Sequence, residues 1–456
     1  MRLISMSSSR SLLILGAALL VASACAQSEK GAVMAKYRRS SLHMVLVEAG
    51  DFPNKDVVIQ AYHDQPFPDK YNDHKVAANT LDASLYPITE TDRILAGYKS
   101  EGEDSKATQN ALASATGGLT AGMMDSTAKD TRLRIDRFIK ETKLANQLVA
   151  KWFNRKEDGT MDGDLVVERG AYGATQMEYM VAQGAANKQA FKDAVGDEMI
   201  PNTFVVFSKL NFVENEPVAR AILDGTRSSL TDTTEFLGKL ALASAQAVYN
   251  STKDGYSVWT TSWLYQLVWN DSIQYRFWKE LWIDDRNVDP LKKAAFDTTD
   301  LFQLSYVGSE KSRSLVAANL EQGGVAEEVI HKATVRNLDA TIAKLQKKFD
   351  VFKPRVPVLT TAPITAFIGM KEGLDGGEKF DALELTVDPK TGARKYKSVA
   401  TVTVEKGKVW DNRYVPGEQK APVLQNDSIA PPTTLDRTYF KGSDKVQPGM
   451  LLKQIR

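Results

Sequence analysis

Residues 256–269 read YSVWTTSWLYQLVW and form the clearest β-strand pattern of the sequence. Successive side chains of a strand point to opposite sides of a sheet, so alternate residues of this segment share one face. That face carries an aromatic row made of Trp259, Trp263, Tyr265 and Trp269. Four of the seven tryptophans lie between positions 259 and 278, which predicts a large aromatic cluster in this part of the fold.

Further strands and long helices are predicted on both sides of this segment. Strand patterns occur at 41–49, 203–213 and 301–307. Helices are predicted at 129–153, 166–195, 231–249 and 325–352, mainly because apolar residues recur there at helical spacing. Pro354 and Pro357 end the last of these helices, because proline cannot continue the backbone hydrogen-bond ladder.

The pattern of the sequence changes after Pro357. Short apolar strands are predicted at 363–367, 383–387, 397–404 and 408–410, with glycine-containing turns between them. Closely spaced short strands with tight turns and no helix are typical of a small closed β-barrel. The tail 411–456 has a looser pattern, and its end could return to the barrel.

The predicted fold class is α+β, with a mixed helix/strand N-terminal and central region followed by a small C-terminal β-barrel. The expected organisation places an α/β segment at 37–100 and a flexible segment rich in small residues at 101–129. A central α+β domain is expected at 130–353, and the barrel with its tail at 357–456.

The first 26 residues have the pattern of a signal peptide. Arg2 and Arg10 precede the short apolar run 12–22, which is too short to span a bilayer permanently. Small residues follow around Cys25, and two interpretations remain open. Either the peptide is cleaved after Ala26, or Cys25 becomes a lipidated first residue in an imperfect lipobox. Both interpretations predict export to the periplasm, the outer membrane or the cell surface.

Composition and motifs exclude several function classes. Cys25 is the only cysteine, so a disulfide framework, a cysteine-ligated zinc and a catalytic cysteine are not expected. The formal net charge of +1 argues against a nucleic-acid partner, which requires a clustered basic excess. The sequence contains no G-x-S-x-G, Walker A or G-x-G-x-x-G motif.

Histidines and carboxylates are concentrated in the segment AYHDQPFPDKYNDH at 61–74. Imidazoles and carboxylates are suitable ligands for a divalent metal ion, which makes His63, Asp64, Asp73 and His74 the candidate ligands. The spacing matches no tight template, and Pro66 and Pro68 interrupt it. The other interpretation is a polar loop with capping aspartates and one core histidine, and it is preferred. No other cofactor is expected.

The aromatic row of residues 259–269 also has two interpretations. Exposed, it would be a stacking platform for a sugar or a docking surface for a protein. Buried, it would be core packed against a helix, which is the favoured interpretation because large aromatic side chains usually drive packing.

Several short stretches resemble a family of exported proteins from Bacteroidota. They are YRRSSL at 37–42, PDKYNDH at 68–74, LVVERG at 165–170, NTFVV at 202–206 and WDNRY at 410–414. This resemblance implies a compartment and no reaction. The stretch IGMKEG at 368–373, with Phe380 and the pair Tyr396-Lys397, is similar to small C-terminal barrels of bacterial surface-assembly proteins.

The function expected from these observations is a non-catalytic scaffold or assembly subunit of the cell envelope, periplasmic or associated with the outer membrane. Its partners would be other cell-envelope proteins or further copies of the chain, and a lipid anchor would be its only membrane contact. One alternative is a metal-dependent hydrolase that uses the segment from His63 to His74. The other is a carbohydrate-binding surface protein that uses the aromatic row.

Overall fold

A computed structural model of the protein describes residues 37–98, 128–172, 198–229, 235–253, 255–286, 288–317, 327–387, 394–413 and 435–455. The predicted signal peptide, Cys25 and nearly all of the predicted flexible segment 101–129 lie outside these residues. So do residues 173–195 of the predicted helical stretch 166–195.

Strands from the N-terminal and central parts of the chain form one mixed β-sheet. They are β1 (Ser40–Glu48), β2 (Tyr71–Asp73), β3 (Thr80–Asp82), β4 (Thr203–Glu214), β5 (Gly255–Val268) and β6 (Gln303–Ala317). The order is β2-β1-β4-β5-β6, and β3 also pairs with β1. Strand β1 is parallel to β2, β3 and β4, whereas β5 is antiparallel to both its neighbours. The predicted units 37–100 and 130–353 therefore share a single sheet.

Helices cover both faces of this sheet. They are α1 (Lys55–Asp64), α2 (Glu90–Leu95), α3 (Ala128–Glu141), α4 (Leu144–Trp152), α5 (Asp164–Tyr172), α6 (Asn215–Ser229), α7 (Glu235–Thr252), α8 (Asp271–Arg276), α9 (Pro290–Thr298) and α10 (Glu327–Lys348). Short 3-10 turns occur at Ala83–Leu85, Asp350–Phe352 and Met370–Glu372, and a π-helical turn at Phe277–Leu281. Among the described residues, no helix has both the length and the apolar character needed to cross a bilayer.

The two faces have different helical partners. On one face, α3 and α4 pack Phe138 and Leu148 against Phe207 of β4 and Trp263 of β5. On the other face, α1 and α10 cover a second apolar layer, in which Leu338 contacts the strands. Because both faces are covered, the central strands carry apolar residues on both sides, unlike strands with one solvent-facing side.

The C-terminal residues form the predicted closed barrel of six strands. These are β7 (Arg355–Thr361), β8 (Ile364–Ala366), β9 (Lys379–Val387), β10 (Arg394–Val404), β11 (Thr438–Lys441) and β12 (Leu451–Gln454). The order around the barrel is β10-β11-β8-β7-β12-β9. Apolar side chains, among them Phe380, Val402 and Leu452, fill its interior. The α+β fold class with a C-terminal barrel is confirmed. The end of the tail does return, because β12 pairs with both β7 and β9 and closes the barrel.

Candidate functional site

The predicted metal ligands His63 and Asp64 lie in the last turn of α1, where both are exposed. Asp64 Oδ2 is 3.4 Å from Nε2 of His331 on α10. Asp64 Oδ1 also accepts a hydrogen bond of 2.8 Å from Gln60. Asp64 therefore faces α10, on the side of the sheet that α1 covers.

Of the other two predicted ligands, Asp73 ends β2 and His74 follows it, on the opposite face of the sheet beside α4. His74 is fully buried, and its ring packs 4.9 Å from the Trp152 ring. Arg169 Nη1 donates a 2.6 Å hydrogen bond to His74 Nδ1, so Nε2 carries the proton and donates to the carbonyl oxygen of Leu148 at 2.9 Å. Burial and the neighbouring Arg169 charge lower the pKa of His74 well below its usual range. His74 is thus neutral, with both ring nitrogens occupied.

Arg169 ties together the segments around His74. Besides His74, it donates to Ser41 Oγ at 3.1 Å and to the Asp73 carbonyl oxygen at 2.7 Å. Its guanidinium lies 4.8 Å from the centre of the Trp152 ring. These contacts are those of a structural cluster that joins α5 to β1 and to the end of β2.

The four predicted ligands are not brought together. The sheet separates His63 and Asp64 from His74, and the side chain of Asp73 is exposed and bonds to the backbone of Lys75 at 2.9 Å. Over the described ranges, no group of three or more His, Cys, Asp or Glu side chains is arranged to hold a metal ion. The prediction of one shared site on these residues is corrected accordingly. The residues are close in sequence, but the chain between His63 and His74 crosses from one face of the sheet to the other.

His43 is also buried, so this region has two core histidines, whereas the sequence predicted one. Its Nδ1 accepts from the Val76 backbone at 3.4 Å, and its Nε2 bonds to the Ala78 carbonyl oxygen at 2.9 Å. Burial lowers the pKa of His43 to about 4. One edge of β1 pairs first with β2 and then with β3. The His43 ring bonds to the backbone of the segment between these two short strands.

The aromatic row of β5 is core. Trp259, Trp263 and Tyr265 are buried and Trp269 is partly buried. Tyr265 donates a 2.6 Å hydrogen bond to Asp136 of α3, the helix that covers this face. The interpretation of this row as an exposed binding platform is therefore corrected, and the interpretation as core agrees with the structure.

Exposed aromatic side chains are found instead directly after β5. We name residues 275–282 the aromatic turn; it comprises the end of α8, the π-helical turn and Trp282. Tyr275 is 62% exposed and Trp278 is 43% exposed, whereas Phe277 is buried. The Trp282 backbone N–H donates to the Phe277 carbonyl oxygen at 2.9 Å, five residues back. Such π-helical turns are frequent at functional sites.

The aromatic side chains of this turn pack against one another and against Phe153 at the C-terminal end of α4. The Trp278 ring lies 4.5 Å from Trp282, 5.1 Å from Phe277 and 5.6 Å from Phe153. At the rim, Arg276 pairs with Glu280 at 3.0 Å. The high density of tryptophan was visible in the sequence, but the exposed members belong to the helix rather than to the strand.

A second concentration of polar side chains joins the barrel to the sheet domain. We name Asp69, Lys70, Asp339, Lys371 and Glu372 the ionic junction. Glu372 is buried, and it accepts hydrogen bonds from the Gly369 backbone at 2.8 Å and from Asn412 at 2.9 Å. Lys70 Nζ lies 3.7 Å from Glu372, and Lys371 Nζ lies 3.7 Å from Asp339.

The electrostatics of the ionic junction differ from those of an exposed ion pair. Burial raises the pKa of Asp339 to about 6, although the Lys371 charge opposes this rise. Carboxylates with raised pKa values in clefts are found both in catalytic sites and in structural ion-pair networks. Here two ion pairs cross between the units, Lys70 with Glu372 and Lys371 with Asp339, which makes the junction a connection between α10, the segment before β2 and the barrel. Sequence reasoning missed it because its members are distant in the chain.

In comparisons with known proteins, no family model matches this chain and no curated protein is significantly similar to it. The resemblance to exported Bacteroidota proteins, and that of the barrel to surface-assembly proteins, therefore stay predictions from the sequence.

Proposed function

We propose that the protein is a non-catalytic assembly subunit of the bacterial cell envelope, and that it binds another envelope protein through the aromatic turn. The observation that carries this proposal is the exposure of Tyr275 and Trp278 above a packed aromatic cluster. Tryptophan, tyrosine and arginine are the residues most enriched at the energetic centres of protein interfaces.

The rigidity of the aromatic turn supports a docking role. Trp278 is held between Phe153 and Trp282, so little rotamer freedom remains to be lost when a partner covers it. Low ordering cost is one reason why preorganised surfaces bind tightly. The flanking Arg276–Glu280 pair supplies the polar rim that usually surrounds an apolar interface centre.

The connection between the two units supports a scaffold role. The ionic junction holds the barrel to α10 and the segment before β2, and an apolar contact adds to it, in which Tyr37 packs against Leu383 and Leu451 of the barrel. Two units joined in a fixed orientation can present separate surfaces to separate partners. Buried His43 and His74 use both ring nitrogens in structural hydrogen bonds, which favours structural over catalytic roles for them.

The experiment that tests this proposal is the native size of the protein in cell-envelope extracts prepared in mild detergent. The double variant Tyr275→Ala/Trp278→Ala removes the exposed aromatic side chains. Leu95→Ala is the matched control, because Leu95 is an exposed apolar side chain on α2, outside the aromatic turn. We expect a large complex for the native protein and the control, and a monomer for the double variant.

Other outcomes would refute the proposal and identify an alternative. A native monomer that carries stoichiometric metal would favour the hydrolase. A native monomer that binds polysaccharide through Trp278, with binding lost in the double variant, would favour the carbohydrate-binding protein. A complex of unchanged size in the double variant would show that the aromatic turn is not the docking surface.

A further inference from the structure

A cleft lined by several cations lies beside the ionic junction, where the 3-10 turn after α10 leads into β7. Its lining includes four cations, Arg39, Lys70, Lys353 and Arg355, together with the carboxylate of Asp350. Three of these cations contact a carboxylate: Arg39 contacts Glu198, Lys70 contacts Asp69 and Glu372, and Lys353 contacts Asp350. We name this region the cationic cleft.

Three of these cations are largely removed from water. The exposed fractions of the side chains are 5% for Arg39, 10% for Lys70 and 12% for Lys353. Coulomb interactions are screened less at such sites than at an open surface. An anion inside the cleft would therefore interact with these charges through little water, in competition with the carboxylates that already contact them.

The acidic partner within the cleft is exposed and shared. Asp350 contacts Lys353 at 3.2 Å and also Lys453 at 2.5 Å, and its side chain is 69% exposed. Asp350 thus forms ion pairs with both Lys353 and Lys453 at the edge of the cleft. This leaves Lys353 with hydrogen-bonding capacity, because an ammonium group has three donors.

The two arginines of the cleft flank one aromatic ring. The guanidinium groups of Arg39 and Arg355 lie 5.8 Å and 5.0 Å from the centre of the Tyr396 ring. Arg39 also contacts Glu198 and donates to the Tyr396 hydroxyl at 2.6 Å. In the part of the chain that the structure describes, the side chain of Arg355 has no carboxylate within ion-pair distance. Its planar donors are available for a ligand.

We propose that the cationic cleft binds a phosphate group, with Lys353 and Arg355 as direct donors. Arginine and lysine are the side chains that most often bind phosphate, arginine through paired donors and lysine as a point charge. Lys353 and Lys453 share the single carboxylate of Asp350, and Arg355 has none, so these three cations leave two positive charges that a phosphate dianion would balance. The group could belong to a soluble phosphate ester or to a lipid headgroup.

The test is calorimetric titration of the purified protein with inorganic phosphate at constant ionic strength. We expect millimolar or tighter binding by the native protein. Arg355→Gln and Lys353→Gln should each weaken it about tenfold or more, because each removes one charge-assisted hydrogen bond. Arg227→Gln and Lys441→Gln are the matched controls on exposed surfaces outside the cleft, and they should bind phosphate as the native protein does.

A second measurement separates the two sources of the phosphate group and checks folding. Binding to phosphatidylcholine vesicles that contain phosphatidic acid, competed by inorganic phosphate, would assign the site to a lipid headgroup. Phosphate binding without vesicle binding would assign it to a soluble ester. Phosphate should also raise the melting temperature of the native protein and not that of Arg355→Gln. Absence of phosphate binding by the native protein, or equal binding by native and Arg355→Gln proteins, overturns the proposal.

Discussion

The substitution Asp339→Asn tests the electrostatics of the ionic junction. Asp339 is 12% exposed, and its pKa is raised from 3.8 to about 6, chiefly because burial disfavours the ionised form. The folded protein therefore binds this proton more tightly than the unfolded chain does. The stability contributed by protonated Asp339 is fully present below pH 4 and is lost as the pH rises through about 6.

The magnitude follows from the size of the shift. One pKa unit corresponds to about 1.4 kcal/mol, so a shift of about two units corresponds to about 3 kcal/mol. The free energy of unfolding of Asp339→Asn, minus that of the native protein, should rise by about this amount between pH 3.5 and pH 7. Asparagine has nearly the same shape and carries no charge at either pH, so only the ionisation of Asp339 changes the difference.

The assay is guanidinium denaturation followed by circular dichroism at several pH values between these limits. Asp444→Asn is the control, because Asp444 is an exposed carboxylate of the C-terminal unit, and surface substitutions usually change stability by less than about 0.5 kcal/mol. A difference between Asp339→Asn and the native protein that stays flat over the whole pH range would refute the reasoning. It would mean that the junction does not bury the Asp339 carboxylate.

Two further substitutions test the packing. Gly308→Ala should destabilise the protein by about 1–3 kcal/mol, because a Cβ at this position would lie 2.1 Å from the Phe349 ring. Thermal melting measures the loss of stability. The control Gly163→Ala, where a Cβ meets open space, should have a much smaller effect. Leu452→Ala, in the strand that closes the barrel, should lower the free energy of unfolding by about 2–5 kcal/mol in denaturant melts. The control Ile455→Ala, which removes a partly exposed side chain, should lower it far less. Equal effects would contradict a barrel core around Leu452.

Much of the fold could be predicted from the sequence because strand and helix periodicities are local. The alternation in residues 256–269 predicted β5, and similar patterns predicted β1, β4 and part of β6. Regular turns after Pro357 predicted the barrel. The closing strand β12 was only suggested, because its four residues are recognisable as a strand only through their pairing with β7 and β9.

The candidate sites were much harder to predict. His63 and His74 are close in the chain, yet the sheet lies between them, and no local pattern reports on which face a segment ends. The ionic junction unites Lys70, Asp339 and Glu372 from three distant segments. Each of these residues alone has the appearance of an ordinary surface charge.

The sequence by itself determined where the strands, the helices and the barrel form and where the tryptophans concentrate, because these properties depend on neighbouring residues. Only the tertiary structure decided that Trp263 is core and Trp278 is surface. It also decided that His74 is neutral and that Asp339 has a raised pKa. Exposure and ionisation depend on every segment that packs around a side chain, and those segments come from the whole chain.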